Sequence, residues 1–160
     1  MAHAGGYTFS SLLSEHDELE ALFNKHQRAL LARDIATALA AIARFESALG
    51  RHIDYEEEVI LPLYSAKRAE VEGGTLPIFQ AEHRKLRQTA AKLANCTGAL
   101  YTSPDVLGSI LKLLDDEALF KGLFHHHALR EENLLFPRLD AFTGEDERAR
   151  VLGKHVETDR

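Results

Sequence analysis

The sequence predicts an all-α protein, an antiparallel up-down-up-down four-helix bundle with a short charged segment after it. Apolar residues recur at steps of three and four in four long stretches, and the breaks between the stretches are only a few residues. No strand-like alternation of useful length occurs in the sequence. Short breaks favour antiparallel neighbours, because a helix must turn straight back on the one before it.

Leu12, His16, Leu19 and Phe23 mark the first helix, from about Ser10 to Leu31, with a histidine in its apolar seam. Asp34 is placed to cap the second, whose seam of Ile42, Phe45, Leu49, His52, Glu56, Val59 and Leu63 runs to about Ala69. Gly73 and Gly74 interrupt the pattern, and Leu76, Phe79, His83, Leu86, Ala90, Leu93, Thr97 and Leu100 define the third. Thr102, Ser103 and Pro104 signal the start of the fourth, carried by Ile110, Leu113, Phe120, Phe124, His127, Glu131 and Leu134. Pro62 and Pro137 fall within or at the end of these patterns, and each is expected to kink or stop its helix, since the ring removes a hydrogen bond and clashes with the preceding turn. The bundle therefore spans about 10–140, and a charged stretch of about 144–160 is expected as a fifth, surface helix or a frayed tail.

At 160 residues the chain suits a single domain that can bury a core without needing a disulfide or a metal merely to fold. A net charge of -6 with no Lys/Arg cluster argues against nucleic acid as a partner, because phosphate binding needs a basic stripe. No run approaches the ~20 apolar residues of a membrane span, and the first residues lack the basic and apolar regions of a secretion signal. The single cysteine, Cys96, forms no internal disulfide and reads as a small apolar residue. A cytoplasmic protein is the simplest inference.

The most informative feature is an internal repeat. His52-Ile-Asp-Tyr-Glu56-Glu57-Glu58-Val-Ile-Leu-Pro62 aligns without gaps on His127-Ala-Leu-Arg-Glu131-Glu132-Asn133-Leu-Leu-Phe-Pro137. Glu15-His16-x-x-Leu19 likewise echoes Glu82-His83-x-x-Leu86, so the chain reads as two copies of one helical hairpin. Residues four apart lie on one helix face, which places His52 with Glu56, and His127 with Glu131, on the buried side. A buried, ionised carboxylate must be compensated, and divalent cations compensate two of them among four imidazoles. Carboxylate and imidazole without thiolate suit iron, manganese or zinc, and two bridging glutamates with two histidines per ion is a natural division.

Each residue alone has a plainer reading. A lone seam histidine is more commonly a hydrogen-bonded core residue, and an isolated His-x-x-x-Glu pair a surface ion pair; the duplication across four helices turns the reading to metal. Glu57 and Glu132 point about 100° away from that face, toward either support of the site or solvent. Tyr55 and Tyr64 read equally as supporting groups or as core packing. His125 falls on the face opposite His127, so a solvated role is expected. Glu117 lies in the seam with no partner apparent in the sequence, at a bundle end or in a shifted register.

His16, the stretch His52 to Pro62, Glu82-His83 and the stretch His127 to Pro137 together resemble the hemerythrin-like, HHE cation-binding family of non-haem di-iron proteins, over about Leu12 to Leu139. The resemblance implies two iron ions with an oxo or hydroxo bridge, held by His16, His52, Glu56, His83, His127 and Glu131. Pairing by hairpin gives His16 and His52 one iron, and His83 and His127 the other. The oxygen-carrying hemerythrins have a further histidine where this chain has Arg87, and a bridging aspartate five residues after the last histidine, where here Glu131 stands at four. The set here is more similar to bacterial members linked to iron-centre repair and nitric oxide or peroxide stress, and to iron-sensing domains. The function implied is binding or processing of dioxygen or a related small oxidant at an open iron position; the alternative is an iron-storing, iron-sensing or iron-donating module without turnover. Arg87 either covers the core edge with its stem and reaches solvent or an acidic neighbour, or faces the metals and pairs with Glu56 or Glu131.

Overall fold

The structure, a computed structural model, describes residues 6–158. A 3-10 turn, Phe9–Leu12, leads into α1 (Leu13–Leu31), as the apolar steps from Leu12 to Phe23 require. The Asp34 carboxylate accepts the Thr37 N–H at 3.0 Å and so starts α2 (Ile35–Tyr55). A π-helical turn, Glu56–Ile60, and α3 (Leu61–Ala66) continue it without a break. The chain turns at Gly73, whose φ of 77° lies in the region that glycine tolerates, and α4 (Leu76–Ala99) follows. Asp105, just after the Thr102-Ser103-Pro104 signal, caps α5 (Val106–Arg130), accepting the Gly108 N–H at 2.9 Å. A second π-helical turn, Glu131–Leu135, joins α5 to α6 (Phe136–Phe142), and α7 (Glu145–Thr158) closes the chain. The charged stretch is thus a shorter fifth helix, anchored by buried Leu152. No described helix is long and apolar enough to cross a membrane.

Side-chain contacts fix the topology. Both ends of α1 meet α2 in reverse order, His16 at His52 and His26 at the Ala38 carbonyl, and α1 meets α5 in reverse order too, His26 at Glu117 and His16 at Glu131. The helices form an antiparallel ring, α1 on α2, α2 on α4, α4 on α5, and α5 back on α1. One apolar cluster, with Phe23, Phe45, Phe120 and Phe124 at its centre, fills one end. A second, with Phe9, Ile60, Tyr64, Phe79, Phe136 and Leu139, fills the other. On every long helix the seam crosses from one cluster to the other through a histidine or glutamate, so the two apolar ends enclose a polar layer.

The prolines act differently from expectation. Neither Pro62 nor Pro137 stops its helix; instead the preceding turn widens, the Leu61 N–H reaching back five residues to the Glu56 carbonyl and the Phe136 N–H to that of Glu131. A proline ring crowds the carbonyl four residues before it, and a wider turn moves that carbonyl aside. The extra residue shifts the helical phase by one. Ile60, Leu61 and Tyr64 are buried where Val59 and Leu63 were expected, and Leu135 and Phe136 replace Leu134. Val59, Leu63 and Leu134 are only partly buried.

Candidate metal centre

The six residues expected from the sequence, His16, His52, Glu56, His83, His127 and Glu131, all lie buried in the polar layer. Donor atoms of His16, His52, Glu56 and Glu131 fall within 4.8 Å of one another, and so do those of Glu56, His83, His127 and Glu131. Both carboxylates belong to both groups. Glu56 turns Oε1 to His52 Nε2 at 3.4 Å and Oε2 to His83 Nε2 at 3.1 Å. Glu131 turns Oε2 to His16 Nε2 at 2.9 Å and Oε1 to His127 Nε2 at 2.8 Å. Each carboxylate therefore presents one oxygen to each histidine pair, as a ligand bridging two ions does.

The donors fit a cation better than they fit each other. All four carboxylate oxygens of Glu56 and Glu131, with Nε2 of His83 and of His127, are buried without an aligned hydrogen-bond partner despite the short separations. Orphaned polar atoms in such number are rare, and each costs about 1–3 kcal/mol. The His16 and His52 Nε2 atoms face each other at 3.3 Å. Two imidazoles bound to one ion at about 2.1 Å hold their nitrogens about 3 Å apart.

Outer carboxylates orient three of the rings. His52 Nδ1 meets Glu15 Oε2 at 2.7 Å, His83 Nδ1 meets Glu57 Oε1 at 3.0 Å, and His127 Nδ1 meets Glu82 Oε2 at 2.9 Å. A carboxylate accepts only, so each Nδ1 carries a proton, and Nε2 is the nitrogen that can give up its own proton and turn a lone pair to a cation at the centre. Glu57 accordingly supports the site, while Glu132 is exposed. The apolar spacing alone does not reveal the roles of Glu15 and Glu82; the duplicated Glu-His dipeptide is their signal in the sequence. Phe124 and Phe79 pack edge to face with His16 and His127, with centroids 5.7 Å and 6.4 Å apart.

The electrostatics follow from this crowding. Burial alone depresses an imidazole, but the Glu56 charge and the Glu15 hydrogen bond outweigh it and lift His52 to about 9. His83 likewise rises against burial to about 9 through Glu131 and Glu56, and His127 to about 10 through Glu131 and Glu82. Burial raises the Glu131 carboxyl, yet His127 and its neighbours hold it well below the ordinary range. Protons here occupy the electrostatic place of a cation.

Other residues take plainer roles. Arg87 does not face the centre: its guanidinium donates to the Gly50 carbonyl at 3.1 Å and pairs with exposed Asp54, so its stem lies along α2 and its charge at the surface. Helix α4 beyond His83 turns its apolar seam inward at Leu86, one position before Arg87, which carries the arginine off the metal-facing side. His125 is exposed, as its phase requires. Tyr64 donates to the Gly74 carbonyl at 2.9 Å and Tyr55 to the Val151 carbonyl at 3.3 Å, so neither hydroxyl is given to the six. Glu117 is fully buried and bonded to His26.

No curated protein and no solved structure matches the chain. A family model described as the Hemerythrin HHE cation binding domain matches residues 1–64 and 75–160, omitting only the connection between the two repeats. With that match spanning nearly the whole length, and with histidine and glutamate groups able to hold cations on its four long helices, the chain belongs to the hemerythrin HHE cation-binding family.

Proposed function

We propose that the chain holds two iron ions, one between His16 and His52 and one between His83 and His127, bridged by Glu56 and Glu131, and that it binds or processes dioxygen or a related small oxidant such as peroxide or nitric oxide. The observation that supports this most directly is the splitting of each carboxylate between the two histidine pairs. Four protein donors per ion would leave coordination positions open, and bound iron would supply there an exchangeable position and redox chemistry. The protein's part is orientation and packing. Glu15, Glu57 and Glu82 fix the imidazole orientations, while Phe79 and Phe124 pack apolar rings against His127 and His16.

Metal analysis with anaerobic-to-aerobic visible spectroscopy tests the reading. About two irons per chain are expected, with a visible band that changes on exposure to dioxygen; one zinc per chain would overturn it. Glu56→Ala and Glu131→Ala should abolish metal binding, Glu57→Ala should weaken it about tenfold through His83, and Glu132→Ala should leave it nearly unchanged. A second reading, iron storage or donation without turnover, is favoured by the 6% and 5% exposure of His16 and His52 against 1% or less for the other four. Iron that passes to a chelator while no oxidant is consumed would select it.

A further inference from the structure

The two halves of the centre repeat each other inside and differ outside. In the second half Glu82 gives one oxygen to His127 and accepts a hydrogen bond on the other from Arg130 Nε at 3.0 Å. Arg130 stands on the same helix as His127, three residues on, and also donates to the Gly73 carbonyl. In the first half Glu15 gives one oxygen to His52, but the position aligned with Arg130 is Tyr55, which has no cation to offer. The second oxygen of Glu15 is met instead by His155 Nε2, from α7. Tyr55 stacks flat on that imidazole, with centroids 3.8 Å apart and planes 16° from parallel, and its hydroxyl holds the Val151 carbonyl of the same helix.

Among the described residues, helix α7 buries little apolar surface, with Val151 packed beside Leu152 on the apolar cluster. Leu152 is its one fully buried residue among those described, and the Lys67–Glu147 pair at 2.7 Å and the Arg148 bonds to the Tyr7, Asp140 and Thr143 carbonyls lie at its beginning, away from His155. Elements with so little buried apolar surface open first. Beside the latch lies a cavity of about 390 Å³, lined by Glu15, Glu18 and His155, by Arg44 and Arg51, and by His52 itself. His52 and His16 are also the two most exposed of the six site residues.

We propose that metal ions reach and leave the His16/His52 half of the centre through this polar cavity, and that α7 gates the passage through His155, which holds Glu15 on His52. The His83/His127 half, latched by Arg130 from its own helix, exchanges more slowly. His155 is a positioning residue, acting on the metal through Glu15 and His52. This inference rests on the paired metal centre proposed above.

The test uses the full chain loaded with cobalt(II), whose visible absorption reports coordination, with the stoichiometry measured before excess EDTA is added. Two release phases are expected. His155→Ala should speed the faster phase about tenfold, the lower end of what loss of an outer hydrogen-bond partner costs a metal site, and leave the slower within about twofold. His155→Gln retains an N–H donor and should restore the parent rate, whereas Arg130→Ala should speed the slower phase. A single phase, a fast phase insensitive to His155→Ala, or equal acceleration of both phases would overturn the gate, the last by marking general loosening. Loading that stops short of two ions per chain would remove the paired centre itself, and the gate with it.

Discussion

Glu117 carries a carboxylate into an apolar layer and finds a partner in His26, both side chains fully buried and 2.6 Å apart. The Ala38 carbonyl 2.8 Å from His26 Nδ1 can only accept, so that nitrogen donates to it, and Nε2 is left to bond Glu117 Oε1. Gln27 donates to the other oxygen at 2.9 Å. The pair is satisfied, and its value lies in fixing which faces of α1, α2 and α5 meet. Glu117→Ala should then destabilise the fold by about 3–5 kcal/mol, because it leaves an imidazole buried without its partner, while His26→Leu combined with Glu117→Leu should recover most of that loss. Urea unfolding in the presence of chelator measures both; equal losses would show that the pair adds net stability of its own. The sequence displayed Glu117 in the seam but not its partner. His26 lies 91 residues away, and only the antiparallel register of α1 on α5 brings the two together.

The helices were legible because three-and-four spacing is a property of the chain alone, and every expected seam residue from His16 to Phe45 and from Phe79 to Thr97 is buried. The phase after each glutamate was not. A proline announces a lost hydrogen bond, but whether a helix stops, kinks or widens depends on what the next turn must bury, and Tyr64 and Phe136 decide for widening. A wider turn rotates less per residue, so the adjacent Glu56 and Glu57 both address one ring, at 3.1 Å from His83 Nε2 and 3.0 Å from Nδ1. Deleting exposed Glu58 would restore a regular turn and keep Tyr64 inward, but swing Glu57 off His83. The expected outcome is a folded, helical protein with about 10–100-fold weaker metal affinity. Deleting the aligned Asn133 should cost much less, since His127 is held by Glu82 rather than by Glu132. Isothermal titration of both variants decides, and equal losses would refute the role given to the widened turn.

At the scale of the whole molecule the polar layer sets a conflict between metal-free folding and metal binding, and pH exposes it. In the unfolded chain the imidazoles titrate near 6.5, whereas in the metal-free fold His52 and His83 keep their protons to about 9 and His127 to about 10. Their contribution to stability is therefore complete below about 6.5 and is lost as pH rises through 9 to 10. Glu131, held below its ordinary range, acts in the opposite sense: its contribution is present above about 4.5 and falls away in acid. The metal-free protein should thus be most stable between these limits and melt at progressively lower temperature from pH 6.5 to 10. Metal reverses the slope, because the same nitrogens bind an ion only after losing their protons, so loading near neutral pH should release protons and strengthen with rising pH. Thermal denaturation at pH 6 and pH 9, with chelator and with saturating metal, compares the two. Opposite slopes are expected. Parallel slopes would mean that the histidines keep their protons when metal is present, and that His52, His83 and His127 are not its ligands.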